Sequence, residues 1–295
     1  MHPARILHPV DLSDAAKPAL AQALAFARWH EADIQCVTVK SRHSTIAEFA
    51  LREFVEAVNV EGVRFGTAVL RGEPVSAVAE YARLSHPDLL VVAGSGRPRG
   101  ILSRAGAFAH ELALASRCPT LMVPKRHHAP ATFGVGSFRH ILCATDGSPA
   151  ASAGLRNALV LAQQSGGRLS VLRVLDGLSN EAGYASALFD SIPADARNWC
   201  DVRVHVVSGV PFRAILSAIE ETAPDVVVLG MRTSHGSTIF MRSTAGAIMR
   251  GAGCQVLLIP TDVERVKRRT RVTSADRHLL SIPAPALSAG RAWSH

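Results

Sequence analysis

The sequence has few aromatic residues and no long hydrophobic run. Phe, Trp and Tyr make up 5% of the 295 residues, whereas hydrophobic residues make up 48%. The buried cores are therefore expected to be aliphatic. No stretch approaches the roughly 20 apolar residues needed to cross a bilayer, and the first residues lack the basic-then-apolar pattern of a signal peptide. The composition favours a globular protein of the cytoplasm.

Cysteines are few, and neither they nor the histidines show metal-ligand spacing. The five cysteines are scattered without a C-x-x-C pair, and the thirteen histidines have no ligand-like pattern. Reduced, buried thiols are expected, with no metal site. The sequence also lacks a Gly-x-Ser-x-Gly elbow, a Gly-x-x-x-x-Gly-Lys-Ser/Thr loop and a convincing acid–base pair. We therefore expect no catalytic residues.

The positive charge is concentrated at one end of the chain. The net charge is +8, and residues 263–295 contribute seven Lys or Arg against two acids. The run 265–271 is basic enough to touch nucleic acid or an anionic membrane. A solvated, disordered tail is the favoured interpretation, so nucleic acid is not expected as a partner.

The chain contains the same pattern twice. Three pairs of segments match: 6–14 with 141–149, 86–92 with 223–229, and 118–124 with 254–260. Asp11 and Asp146 are 135 residues apart, Asp88 and Asp225 are 137 apart, and the cysteines that begin the third pair are 136 apart. A period this long indicates a duplicated domain with its own core, not a solenoid repeat.

Each copy alternates strands with helices. The first copy predicts strands at 6–10, 34–39, 63–70, 88–93 and 120–123. It also predicts helices at 15–30, capped by Ser13, and at 46–59, 74–85 and 106–116. The second copy predicts a helix from Ser148 or Pro149 and strands at 169–174, 202–207, 225–229 and 256–259. Residues 176–198 read as a loop with one helix. Such alternation is typical of a parallel sheet with right-handed crossovers.

The predicted domain boundaries follow from this repeat. The first domain covers residues 1–127, and a Pro- and Gly-containing linker covers 128–138. The second domain covers 139–262, and the basic tail covers 263–295.

Several motifs resemble those of universal stress protein domains. They are Ile6-Leu-His-Pro-Val-Asp-Leu-Ser13, its copy at 141–148, the strand 88–92 with Gly94-Ser-Gly96, Gly106, and Cys118-Pro119. The resemblance covers nearly all of 4–125 and 139–260. It implies two tandem, doubly wound, five-stranded parallel α/β sheets of order 3-2-1-4-5, a Rossmann-like fold of the adenine-nucleotide alpha-hydrolase type. It also implies that the copies pack as a pseudo-dimer, often through the fifth strand, and that the whole chain can form a homodimer.

Nucleotide-binding members of that family carry Gly-x-x-Gly, nine residues, then Gly followed by Ser or Thr. An Asp ending the first strand and the Gly loop after the fourth strand flank the usual ligand crevice. Glycines allow backbone N–H groups to approach phosphate oxygens, and a helix N-terminus adds further amides.

The first copy keeps part of this pattern. It reads Ala93-Gly94-Ser-Gly96, nine residues, then Gly106-Ala107, so it loses the first glycine and the last hydroxyl. Backbone amides remain available in this interpretation, and Arg97 or Arg99 adds charge.

The second copy keeps a different part. It reads Gly230-Met-Arg-Thr233, nine residues, then Ser243-Thr244, which preserves the first glycine and the hydroxyls. Two other registers stay open. One places Arg242 at the third glycine, and the other pairs 233–236 with Gly246.

By resemblance, the predicted ligand is an adenine nucleotide, in particular ATP with or without Mg²⁺, in one or both copies. The expected role is that of a stress-response sensor or regulator, with at most slow, incidental hydrolysis. The alternative is a family member that binds only protein partners, in which the glycines make turns and Asp11 and Asp146 cap helices. The candidate binding residues of the first copy are Pro9, Val10, Asp11, Val39, Gly94, Gly96, Arg97, Gly106 and Ala107. Those of the second copy are Thr145, Asp146, Val174, Gly230, Arg232, Thr233, Ser243 and Thr244.

Overall fold

The computed structural model describes residues 3–40, 48–58, 60–94, 106–125, 138–175, 181–232 and 243–261. The predicted linker, apart from its last residue, and the predicted basic tail lie outside these ranges. So do three candidate site residues, namely Gly96, Arg97 and Thr233.

The first half alternates strands and helices as its hydrophobic pattern predicts. Short apolar runs form its strands, and amphipathic segments form its helices. Its elements are β1 (Arg5–Pro9), α1 (Lys17–His30), β2 (Asp33–Lys40), α2 (Glu48–Glu56), β3 (Phe65–Arg71), α3 (Pro74–Ser85), β4 (Leu89–Ala93), α4 (Ala107–Ser116) and β5 (Thr120–Val123).

The second half repeats this order with one additional short helix. The elements of the second half are β6 (His140–Thr145), α5 (Pro149–Ser165), β7 (Arg168–Leu175), α6 (Glu181–Asp190), α7 (Ala196–Trp199), β8 (Val202–Ser208), α8 (Pro211–Thr222), β9 (Val226–Met231), α9 (Thr244–Gly251) and β10 (Gln255–Pro260). The region after β7, where one helix was predicted, therefore holds two, α6 and α7.

All ten strands of the described residues join in one sheet. Its order is β3-β2-β1-β4-β5-β10-β9-β6-β7-β8. Within each half the strands are parallel. If the strands of each half are numbered from 1 to 5 along the chain, both halves have the order 3-2-1-4-5. The two predicted sheets are therefore not separate layers, because their fifth strands pair with each other.

The seam between the halves is short and antiparallel. Strands β5 and β10 pair over three positions, from Met122 with Val256 to Thr120 with Leu258. The helices beside the seam also touch. A Cβ added at Gly106, just before α4, would lie 2.7 Å from the Cβ of Met249 on α9. A glycine is therefore required there by packing between the halves.

Aliphatic side chains fill both faces of the sheet, as the composition predicts. One cluster lies under α1, α2 and α5, and the other lies under α3, α4, α8 and α9. The five cysteines are buried free thiols. Within the described ranges, no helix is both long and apolar enough to span a membrane.

The repeated aspartates before β4 and β9 fix the starts of β1 and β6, the central strands of the two halves. Asp88 Oδ2 accepts hydrogen bonds from the amides of Ala4 and Arg5, at 2.9 and 3.1 Å. In the second half, Asp225 Oδ2 accepts from Arg139 and His140, at 2.8 and 2.9 Å. This shared contact gives a structural reason for one of the repeated motifs.

The start of α1 differs from its prediction. Ser13 does not cap the helix with its side chain, and its hydroxyl donates to Asp11 Oδ1 at 2.6 Å. A short 3-10 turn over Asp14–Ala16 follows, and the α-helix begins at Lys17. In the second half, Ser148 caps α5 as predicted, accepting from the amide of Ala151 at 3.2 Å.

Candidate functional site

A cavity of about 190 Å³ opens in the second half, at the carboxyl ends of β6 and β9. The chain leaves β6 toward β7 on one side, while β9 lies on the other. Such a reversal of strand order is where open α/β sheets bind ligands. The lining residues are Ala144, Thr145, Asp146, Ala151, Leu172, Val174, Pro211, Ile215, Leu229, Gly230, Thr244 and Ala245.

The volume of the cavity limits what the described residues can enclose. Pockets that hold a whole drug-sized ligand typically measure about 300–1,000 Å³. The cavity is smaller, so it fits one part of such a ligand. The chain continues from β9 into residues 233–242, which lie outside the described ranges.

Asp146 is the charged residue of the cavity wall. Its Oδ1 accepts a hydrogen bond from the amide of Ser148 at 2.9 Å. Burial raises the pKa of Asp146, but the hydrogen bonds from Ser148 and the nearby charge of Arg232 outweigh burial and lower the pKa overall. The carboxylate is therefore ionised at neutral pH and presents acceptor oxygens to a ligand's hydroxyl or amino groups.

Gly230 lies in the cavity wall because helix α5 comes very close to β9. A Cβ added at Gly230 would collide with the carbonyl group of Ala150 and lie 2.6 Å from the amide nitrogen of Ala151. Gly230 is also inside strand β9 and not in a turn. The glycine is thus explained by close helix packing, which the sequence pattern alone did not reveal.

Three helices begin at the cavity. Ala151 lies in the first turn of α5, Pro211 begins α8, and Thr244 and Ala245 begin α9. Helix N-termini carry partial positive charge, but here the Ala151 amide already donates to Ser148 Oγ at 3.2 Å and Pro211 has no N–H. An anionic group at the mouth of the cavity would therefore be stabilised.

The structure brings together five of the residues predicted for the second copy. They are Thr145, Asp146, Val174, Gly230 and Thr244, all in the cavity wall. Ser243 caps α9 instead, accepting from the amide of Gly246 at 3.0 Å. Arg232 is near enough to Asp146 to lower its pKa.

In the first half, the loop after β1 is closed by local hydrogen bonds. Asp11 Oδ1 accepts from both the amide and the hydroxyl of Ser13, at 3.0 and 2.6 Å. Between them, Leu12 has φ +58°, a left-handed conformation that is unfavourable for a branched side chain. The corresponding residue of the second half is Gly147, with φ +80°.

The predicted phosphate-binding amides of the first half are already paired. The Gly94 amide donates to Val123 O at 2.7 Å, and the Gly106 amide donates to Gly94 O at 3.1 Å. Ala107 begins α4 and is buried. Neither glycine amide is free to donate to a phosphate in this arrangement.

The remaining first-half candidates lie at the same edge of the sheet. Pro9 ends β1, Val10 follows it and is buried, and Val39 packs against the core near the end of β2. At the position equivalent to Thr244 stands Ala107, since each of these residues begins the last helix of its half. The methyl side chain of Ala107 offers no hydroxyl there.

Sequence reasoning missed seven residues of the cavity wall. Ala144 and Leu172 lie two residues before Asp146 and Val174, so strand alternation is a usable signal for them. Leu229 is adjacent to Gly230, and alternation does not indicate it. The other four lie at helix starts, and their convergence depends on how the helices pack. They are Ala151, Pro211, Ile215 and Ala245.

Comparison with protein families identifies the chain. The model of the universal stress protein family matches residues 41–124 and 137–260, which together make up most of the sequence. The chain therefore belongs to the universal stress protein family, as a member with two tandem copies. No curated protein sequence matches it significantly.

Solved structures share the whole two-copy fold. A universal stress protein from Archaeoglobus fulgidus aligns with a TM-score of 0.66 and 18% identity, over 87% of this chain and 96% of that one. A putative universal stress protein from Pseudomonas aeruginosa aligns with a TM-score of 0.61 and 16% identity, over 88% and 93%. At these identities the similarity establishes the fold only.

The fold also occurs outside free-standing stress proteins. The cytoplasmic domain of a prokaryotic cation chloride cotransporter aligns with a TM-score of 0.52 and 15% identity, over 88% of this chain and 96% of that one. The fold therefore does not by itself define a function, and the function must be argued from the cavity.

Proposed function

We propose that this universal stress protein binds an adenine nucleotide in the cavity of its second half and acts as a stress-response sensor or regulator. The observation that carries the proposal is the position of the cavity. It lies where the strand order reverses and has a carboxylate, Asp146, on one side and the start of α9 on another.

The chemistry of the wall supports a nucleotide with its base inward. Leu172, Val174 and Ile215 provide an apolar surface for a planar base. The Asp146 carboxylate accepts hydrogen bonds from ribose hydroxyls or an exocyclic amine. Phosphates, with ATP as the expected ligand, extend toward the start of α9 and Arg232, where the charge is favourable. Mg²⁺ accompanies the phosphates of ATP in this proposal.

We assign binding to the second half in preference to the first. The first half has paired glycine amides, and its Ala107 lacks the hydroxyl that Thr244 has in the second half. The competing proposal is that the protein acts only through protein partners. Paired amides in both halves would favour that proposal. Nucleotide binding by the parent protein decides between the two.

The remaining properties follow the same proposal. The protein is a cytoplasmic regulator and not an enzyme, since the described cavity wall presents Asp146 as its one ionisable side chain, and that carboxylate is assigned to ligand binding. The two halves form a pseudo-dimer through β5 and β10, and whole chains can pair further as a homodimer. In this proposal, protein partners bind the surface that the protein presents when nucleotide is bound.

Thermal unfolding with and without nucleotide tests the proposal. A ligand at a hundred times its Kd stabilises the folded state by about 2.7 kcal/mol, so ATP should raise the Tm of the parent protein. Asp146→Ala should abolish most of this shift, and the matched variant Asp11→Ala should keep it. No shift with millimolar adenine nucleotide would favour the partner-binding alternative.

A further inference from the structure

Helix α5 and strand β9 meet through glycine on both sides. A Cβ added at Gly154 would lie 2.9 Å from the amide nitrogen of Gly230 and 3.4 Å from its Cα. A Cβ added at Gly230 would collide in turn with the first turn of α5 at Ala150. The backbones of helix and strand are therefore in direct contact, with no side chain between them.

The first half lacks this contact. By the repeat offsets, Ala19 on α1 corresponds to Gly154, and Ala93 at the end of β4 corresponds to Gly230. Each of these alanines places a methyl group where the second half has none.

The contact is adjacent to the cavity at both of its ends. Gly230 itself lines the cavity, and Ala151, one turn before Gly154 on α5, lines it directly beside Gly230. Ser148 and Asp146 follow directly toward the loop, linked by the Ser148 amide and the Asp146 carboxylate. The spacing between helix and strand at Gly154 therefore sets the distance from Gly230 to Ala151 and the position of Asp146.

We infer that Gly154 is a positioning residue for the nucleotide site, although it does not line the cavity. The inference rests on the proposed function. A methyl group at residue 154 forces α5 away from β9 by roughly half an ångström, since ordinary contact begins at 3.4 Å. Binding groups must be held within about 0.5 Å of their productive positions. The start of α5 then moves away from the ligand, while the starts of α8 and α9 stay in place.

Calorimetric titration of Gly154→Ala with ATP tests this inference, measured in sucrose to favour the folded state. We expect the Kd to rise about tenfold, because a displacement of 1 Å in a binding site can cost on the order of a hundredfold. Circular dichroism must show that the variant is folded at the titration temperature.

Two matched controls separate positioning from stability. Gly253→Ala adds the same methyl group where nothing lies within 4 Å, so it should keep the parent Kd. Ala158→Val enlarges a fully buried residue one turn farther along α5. It should lower the Tm through overpacking while keeping the parent Kd, since the cavity end of α5 stays seated.

Each outcome decides the question. A weaker Kd for Gly154→Ala alone supports the positioning role. An unchanged Kd, an equal loss in Ala158→Val, or a Gly154→Ala protein that does not fold in sucrose overturns it, because the glycine then serves stability only. If the parent protein binds no adenine nucleotide, it is the proposed function that fails.

Discussion

The two halves share one strand order but differ in how their first helix meets their fourth strand. In the second half, Gly154 and Gly230 bring α5 into backbone contact with β9, and a cavity opens beside them. In the first half, Ala19 and Ala93 stand at these positions. Two copies of one fold thus differ in this helix–strand contact by two methyl groups.

The glycines of the two halves therefore allow different packing contacts. Gly94 and Gly106 allow close packing around the seam, Gly94 against β5 and Gly106 against Met249 of the other half. Gly230 allows close packing of α5 within its own half. The glycines near the end of the fourth strand therefore have different physical causes in the two copies, since Gly94 follows β4 and Gly230 lies within β9.

The largest expected effect comes from adding a methyl group at Gly230. In Gly230→Ala, the new Cβ meets the backbone of Ala150, which cannot move without shifting α5. We expect a loss of about 3 kcal/mol in unfolding free energy. The matched first-half change, Ala93→Gly, should cost only about 0.5–1 kcal/mol. Urea unfolding of both variants measures the difference, and equal losses would contradict the asymmetry.

A smaller effect on the free energy of unfolding, which depends on pH, is expected from His8 in the first half. His8 is fully buried beside β4, and its Nδ1 lies 2.7 Å from Val91 O. Its Nε2 has no hydrogen-bond partner among the described residues. Burial lowers the pKa of His8 from 6.5 to about 4, despite the opposing effects of Val91 and Asp11. The equivalent residue of the second half is the buried Cys143.

The sign of the effect follows from proton binding. Between pH 6.5 and 4 the unfolded chain binds a proton at residue 8 and the folded chain does not, so stability is full above 6.5 and is lost as the pH falls. At pH 5 the loss is about 2 kcal/mol. His8→Cys, which copies the second half, should remove this part of the acid sensitivity in urea unfolding at pH 7 and 5. His110, whose pKa burial also lowers to about 4, should keep its own contribution. A variant with the parent's full pH dependence would show that His8 is protonated in the folded state.

The smallest effect concerns the loop after the first strand of each half. Leu12 accepts a left-handed conformation where the second half has Gly147. Gly147→Ala places a Cβ 3.1 Å from Nη1 of Arg173 at a positive φ. We expect a loss of about 1 kcal/mol in unfolding free energy. Gly253→Ala, at an open position, is the control, and a neutral result for Gly147→Ala would show that this loop adapts as its first-half counterpart does.

Hydrophobic periodicity predicted most of the helices and strands. The prediction for α3 and β5 agrees with the structure at both ends, since Pro74 begins the helix and a short apolar run forms the strand. It was wrong at the start of α1, where Ser13 bonds to Asp11 instead of capping the helix. A 3-10 turn over Asp14–Ala16 moves the start of the α-helix to Lys17, and residue type alone does not predict this turn.

The candidate site was predicted less completely than the fold. Asp146 and Gly230 were found because they end strands in a recognisable pattern. Pro211 and Ile215 were missed because they reach the cavity from a helix that follows another strand. Their approach depends on the angle and depth at which α8 packs, and no spacing in the sequence encodes these directly.

The sequence by itself determined the duplication, the alternation of strand and helix and the aliphatic cores. These depend on local patterns of side chains repeated at a constant offset. Only the tertiary structure decided that β5 and β10 pair over just three positions, that the glycine amides of the first half are already paired, and that α5 touches β9. Those outcomes depend on distances of a few ångströms between segments far apart in the chain, where one methyl group is enough to change the result.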